Sequence, residues 1–189
     1  MDMRGERVVP VVLELFADIV PKTEEEFCVL CTGEKGIGST PGKPLHFKGC
    51  PFHRIIKKFM IQDRDFSNQN GTSEQNIYGE KFEDENFYYD HDRGGLLGMA
   101  NADCSTNGSQ FFITAVPTTR LDGENVVFDQ GIKVMGIARI LEMQKWKVKN
   151  LPNCALLQNV EYWRKGMIGD FFSKMVLVTV TQISPRMQI

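Results

Sequence analysis

One arginine in this chain stands where an arginine is hard to accommodate. Arg54 lies within Phe52-His-Arg-Ile-Ile-Lys-Lys-Phe-Met-Ile-Gln62, an apolar segment that also carries Phe59 and Met60. A guanidinium among nonpolar groups needs acceptors. Arg54 is therefore either paired within the fold or set at the edge of a pocket, ready to meet a ligand's lone pairs. Side chains able to line such a pocket recur along the chain: Phe59, Met60 and Gln62, then Asn101, Gln110, Phe111, Phe112 and Leu121. On pattern alone the plainer reading leads, with a rim salt bridge for Arg54 and core packing for Phe59 and Phe112. No catalytic triad, phosphate loop or metal motif competes. His46, His53 and His91 have no second ligand at zinc spacing. The pair Cys28 and Cys31 has the C-x-x-C spacing of a redox or half-zinc site. It falls on a predicted helix beside Phe27 and Leu30, where cysteine acts as a small apolar core residue. The acidic run Glu80 to Glu85 reads as a solvated loop anchored by Phe82 and Phe87.

The elements that must position these residues are mostly short strands. Val8 to Phe16 is β-branched, with Pro10 marking an edge, a bulge or a strand end. Pro21 opens a helix whose positive end is complemented by Glu24, Glu25 and Glu26; Phe27, Leu30 and Cys31 give it a buried stripe, and Gly33 stops it. Further strands are expected at Leu45–Lys48, Phe52–Ile56, Phe59–Gln62, Gly95–Ala100, Gln110–Val116, Val126–Phe128 and Lys174–Ile183, with a second helix over Lys133–Met143. The stretch Lys145–Ser173 has no assignable pattern. Many short strands with few helices predict a mainly β fold: a closed or nearly closed antiparallel barrel, packed inside, so that any ligand binds on its outside or at a rim.

The 189 residues suit one domain, 1–189, with 42% apolar and 24% charged residues. A net charge of -2 gives no reason to expect nucleic acid or an anionic membrane as partner. The polar start Met1–Arg7 lacks the apolar core of a signal peptide, and five cysteines without a secretion signal predict reduced thiols. A cytoplasmic location, or a nuclear one, is expected.

Several longer motifs carry a resemblance. Phe16-Ala-Asp, Pro21-Lys-Thr, Cys31-Thr-Gly-Glu-Lys-Gly, Phe52-His-Arg-Ile-Ile, Phe59-Met-Ile-Gln62, Ile77-Tyr-Gly-Glu-Lys-Phe-Glu-Asp-Glu-Asn-Phe87, Met99-Ala-Asn101, Thr106-Asn-Gly-Ser-Gln-Phe-Phe112 and Leu121-Asp-Gly resemble the cyclophilin family of peptidyl-prolyl isomerases, over about Arg4 to Glu142. Within it, Gly42 to Phe52 is similar to the large cyclophilins that carry a tetratricopeptide tail; no such tail is seen in this sequence. The resemblance implies a closed eight-stranded antiparallel barrel capped by two helices, with an active groove on its outer face. It implies Arg54 as the catalytic arginine, Phe59, Met60, Phe112 and Leu121 as walls of the proline pocket, and Gln62, Ala100, Asn101 and Gln110 as the groove holding the peptide backbone. It implies proline-containing peptides and unfolded proteins as partners, a monomer, and no cofactor or metal.

The sequence departs from the family in places. Asn125 stands where the family has histidine, which predicts reduced activity with Asn125 still in the binding site. Arg120 stands where tryptophan is common, which predicts weak cyclosporin binding. Asp63, Arg64, Ser73, Glu74, Asp103 and Asp129 occupy positions usually glycine. Each would cost ~1–2 kcal/mol wherever the backbone is left-handed. The first strand is expected to be cut short before Arg4, leaving its neighbour partly unpaired. The last strand is expected at Lys174–Ile183, after an unmatched insertion over residues 150–172 whose Trp163, Phe171 and Phe172 would cover that edge.

Overall fold

The computed structural model describes residues 7–38, 44–48, 50, 54–63, 75–79, 81–131, 155–164 and 174–182. Eight strands form one antiparallel sheet: β1 (Arg7–Leu15), β2 (Arg54–Ile56), β3 (Met60–Asp63), β4 (Leu96–Met99), β5 (Phe111–Thr114), β6 (Val127–Gly131), β7 (Ala155–Arg164) and β8 (Lys174–Gln182). Their order is β2-β3-β5-β4-β6-β1-β8-β7. The protein is thus mainly β, but among the described residues no ladder joins β2 to β7, and the expected closure is not seen. One helix, α1 (Pro21–Thr32), packs on the sheet. The expected helix at Lys133–Met143 lies outside the described residues.

The helix forms as its sequence dictates. Pro21 occupies the first turn, where a missing N–H is harmless, and Gly33 ends the helix in the left-handed conformation at φ 71°. Val20 offers no side-chain cap, so Glu85 caps from another segment. Its carboxylate accepts the backbone N–H groups of Lys22 and Thr23 at 2.9 Å each. Phe27, Leu30 and Cys31 are buried as the stripe predicts, and Cys28 and Cys31 both belong to the core.

Alternation divides the sheet into two faces. The cross-strand row Ile55–Ile61–Ile113–Leu97 points into the core with Phe27, Phe47, Phe111 and Phe128. The row Arg54–Gln62–Phe112–Gly98 points the other way. Met60 and Phe112 are buried yet stand apart from that core cluster, since they lie on the outer face.

Several expectations need correcting. Leu45–Lys48 is no strand: Leu45 and Phe47 are buried alternately, but their N–H groups donate to Gly36 and Leu30 carbonyls at 2.8 and 2.7 Å. β7 lies in the stretch that shows no pattern in the sequence. The neighbour of the first strand is not left unpaired over the described residues, because β8 pairs with β1 from Arg7↔Gln182 to Leu15↔Lys174. Trp163 belongs to β7, which pairs with β8 and not with β1; Phe171 and Phe172 lie outside the described residues. The replaced glycines are not strained either. Asp63, Asp103 and Asp129 have no positive φ, whereas Lys58 and Ser105 do; Arg64, Ser73 and Glu74 lie outside the described residues. Asp129 instead buries its carboxyl completely. That burial pushes its pKa well up, against a 3.0 Å hydrogen bond donated by the Glu14 N–H and with the Glu14 charge adding to the rise.

Candidate active site

The outer-face row places the arginine. Arg54 and Gln62 are directly opposed on β2 and β3, so their side chains emerge on the same side. Arg54 Nη1 donates to Gln62 Oε1 at 3.3 Å, and Gln62 Nε2 donates to Gln110 Oε1 at 3.0 Å. This relay turns the exposed guanidinium along the sheet face and occupies one donor, leaving the rest of its fork for a ligand. The paired-arginine reading thus gives way: the partner of Arg54 is a neutral amide, and no described carboxylate forms an ion pair with it.

Beside the arginine, three apolar side chains are set by register and turn. Phe112 opposes Gln62, and Met60 lies two residues before Gln62 on the same face. Phe59 sits in the turn joining β2 to β3, fixed by its N–H to Ile56 O at 3.2 Å and by Ala115 N–H to its carbonyl at 2.9 Å. Phe112 needs its neighbour to be glycine. A Cβ on Gly98 would meet the tip of the Phe112 ring at 2.4 Å.

A second network holds the opposite rim. Ala100 N–H donates to Gln110 O at 2.9 Å. Asn125 Nδ2 donates to Met99 O and to Asn101 Oδ1, both at 2.9 Å, and Asn101 Nδ2 donates to Glu124 O at 2.9 Å. Asn125 N–H donates to Leu121 O at 3.1 Å, tying in the 3-10 turn Thr119–Leu121. All ten residues singled out in the sequence, Arg54, Phe59, Met60, Gln62, Ala100, Asn101, Gln110, Phe112, Leu121 and Asn125, therefore fall in one patch joined by register and hydrogen bonds.

Three further residues, His91, Asp122 and Gly98, support the patch, and the first two do not stand out in the sequence. His91 is fully buried, stacks on Phe112 with centroids 5.6 Å apart, and approaches Asp122 Oδ1 through Nδ1 at 2.9 Å. The same oxygen accepts the His91 backbone N–H at 2.7 Å, so the ring proton belongs on Nδ1. Asp122 follows Leu121 directly, and His91 thereby joins two of the apolar side chains of the patch. In the sequence His91 sits between two aspartates and looks exposed. Gly98 did leave a signal, as a glycine inside an apolar strand marks a close approach.

A family model described as cyclophilin type peptidyl-prolyl cis-trans isomerase/CLD matches residues 1–160. The chain belongs to the cyclophilin-type peptidyl-prolyl isomerases. The family's enzymes turn the amide bond before proline and bind proline-containing peptides, and the mainly β fold agrees with membership. The match ends inside β7 of this cyclophilin, so β8 lies beyond it although it pairs with both β1 and β7.

Proposed function

We propose that Arg54 is the residue that lowers the isomerisation barrier, acting on a proline ring seated against Phe59, Met60, Phe112 and Leu121. The barrier to turning a peptide bond, ~18–20 kcal/mol, comes from resonance between nitrogen and carbonyl. A guanidinium N–H donated to the prolyl nitrogen withdraws its lone pair from that resonance. The interaction strengthens as the amide twists, so it favours the transition state over the ground state. Gln62, Ala100, Asn101 and Gln110 hold the peptide backbone, and no covalent step, metal or cofactor is required. The observation that carries the reading is the relay Gln110–Gln62–Arg54 on the same sheet face as Met60 and Phe112. Exchange NMR on an Ala-Pro peptide tests it. Arg54→Ala should reduce catalysed exchange ~10²–10³-fold in a folded protein, the range for losing one transition-state donor. Full exchange in that variant would refute the assignment.

A second reading, a proline-peptide binding module of weakened turnover, is favoured by Asn125. Both protons of its amide are committed to Met99 and Asn101, where the resemblance places a histidine in the groove. Peptide binding without rate enhancement would select it. We further propose a monomer of the cytoplasm or nucleus, similar to the large tetratricopeptide-bearing cyclophilins. Its sheet closes into a barrel, it assists the folding of proline-containing clients, and it binds cyclosporin weakly.

A further inference from the structure

The guanidinium of Arg120 lies over the Phe59 ring, its Cζ 3.6 Å from the centroid. At that separation an edge-on guanidinium would drive an N–H into the ring, so the contact at the rim of the pocket is a face-on cation–π stack. The N–H donors lie in the plane of the group and point outward around the ring edge, a fork whose geometry matches a carboxylate or a phosphate. Among the described residues no carboxylate pairs with this cation. Asp122, two residues on, is occupied by the backbone and ring of His91, and the exposed Glu124 forms no ion pair with it. Arg54 is also exposed, and the turn leading into Phe59 carries the exposed Lys57 and Lys58. In a chain of net charge -2, four basic side chains are thus gathered on the segments around one pocket wall.

We propose that Arg120 is a specificity-determining residue and that this cyclophilin prefers proline segments bearing an anionic side chain, carboxylate or phosphate, next to the proline. The proposal rests on the assignment of Phe59 to the proline pocket made above. A proline ring against Phe59 places its neighbouring residue at the ring edge, where the outward fork of Arg120 meets it. Stacking fixes the guanidinium before the ligand arrives, which reduces the ordering that binding must supply. An acid in place of alanine then adds a charge-assisted, bidentate contact and a favourable field from Arg54.

The test compares three peptides, neutral Ala-Pro, one with glutamate and one with phosphoserine, with the acid placed before or after the proline. Exchange NMR gives kcat/KM and chemical-shift titration gives affinity, so the comparison stands whether or not turnover is fast. The anionic peptides should exceed Ala-Pro roughly three- to tenfold at low salt in at least one placement, phosphate more than carboxylate because it carries more charge. The ratio should fall as salt rises and collapse to near one in Arg120→Gln. Arg120→Lys, which keeps the charge without the planar fork, should retain part of it. Equal values for anionic and neutral peptides in both placements, or a preference that survives Arg120→Gln, would overturn the proposal. Ala-Pro exchange in Arg54→Ala separates the two readings. If it is lost while the anionic preference is absent, the site assignment stands and only this inference fails; if it persists, the site assignment fails.

Discussion

Gly98→Ala is the smallest change that should disturb the pocket from behind. The backbone of Gly98 is not left-handed, so alanine brings no dihedral strain there, only a methyl group. That methyl would stand 2.4 Å from Phe112 Cζ and 3.0 Å from both Cε atoms. Carbon atoms rest ~3.5–4.0 Å apart, so the tip of the ring must retreat by about 1 Å. Retreat is obstructed because His91 stacks on the same ring, held in turn by Asp122. Overfilling a packed site of this kind costs ~1–3 kcal/mol, and a reacting group misplaced by ~1 Å loses up to ~10²-fold in rate. We expect kcat/KM on an Ala-Pro peptide to fall roughly 10- to 100-fold, with a denaturation midpoint lowered by an amount equivalent to ~1–3 kcal/mol. Exchange NMR and urea unfolding on the same sample check both. A variant that unfolds earlier but keeps wild-type kcat/KM would show that the ring relaxes without touching substrate, and the placement of Phe112 in the proline pocket would be wrong.

The dyad behind the pocket gives a related expectation. His91→Phe keeps a ring against Phe112 but removes the donor to Asp122, and should raise KM several-fold while kcat stays nearly constant. Asp122→Asn, which can still accept both hydrogen bonds, should restore most of the loss seen in Asp122→Ala; equal KM in all variants would reduce the pair to a structural role. Stability should also depend on pH through Glu26, whose pKa burial raises from 4.5 to about 8. The Ile77 N–H and the Lys35 charge pull it back down, and the Glu25 charge pushes it up. Between those two values the unfolded chain loses a proton that the folded chain keeps, so stability declines as pH rises from about 4.5 to about 8. The loss approaches ~5 kcal/mol at most, and Glu26→Gln should flatten the profile by urea unfolding across that window. An unchanged slope would mean that Glu26 ionises normally in the fold.

The candidate site is more legible in the sequence than the scaffold is, for a physical reason. Site residues sit in motifs where the type of each side chain matters, and one register row on the outer face collects them. Strand identity rests on period-two alternation, which fails wherever the pairing is irregular. β7 reads Ala-Leu-Leu-Gln-Asn-Val-Glu-Tyr-Trp-Arg, and its register with β8 shifts between Leu157 and Asn159. That break in alternation is why no strand shows in the pattern. Leu45–Lys48 errs the other way, because alternating burial there comes from packing beside α1 and not from a ladder. His91 escapes notice because a histidine flanked by aspartates carries no sign of burial. Its role depends on Phe112 and Asp122, respectively 21 and 31 residues away in the chain.

β8, which lies beyond the family match, and the rim residues Arg120 and Asn125 are distinct features, and what each one holds decides how changes in it should be felt. The strands carrying the site, β2, β3, β5 and β4, are contiguous at one end of the sheet order, whereas β8 and β7 lie at the other, beyond β6 and β1. β8 lies past the end of the family match, yet it pairs with β1 through nine residues and with β7 on its other side. It contributes to the continuity of the sheet and not to the outer-face row that presents Arg54. Arg120 and Asn125 lie outside the strands. Each leaves the sheet unaltered while one sets a charge on the Phe59 wall and the other spends its amide protons on Met99 and Asn101. Changes in β8 should therefore be read in unfolding curves, and changes at Arg120 and Asn125 in the ratio of rates between peptides. On the function proposed above, the isomerase chemistry and the choice of substrate are separable in this protein, the first resting on Arg54 and its glutamine relay and the second on the rim around Phe59.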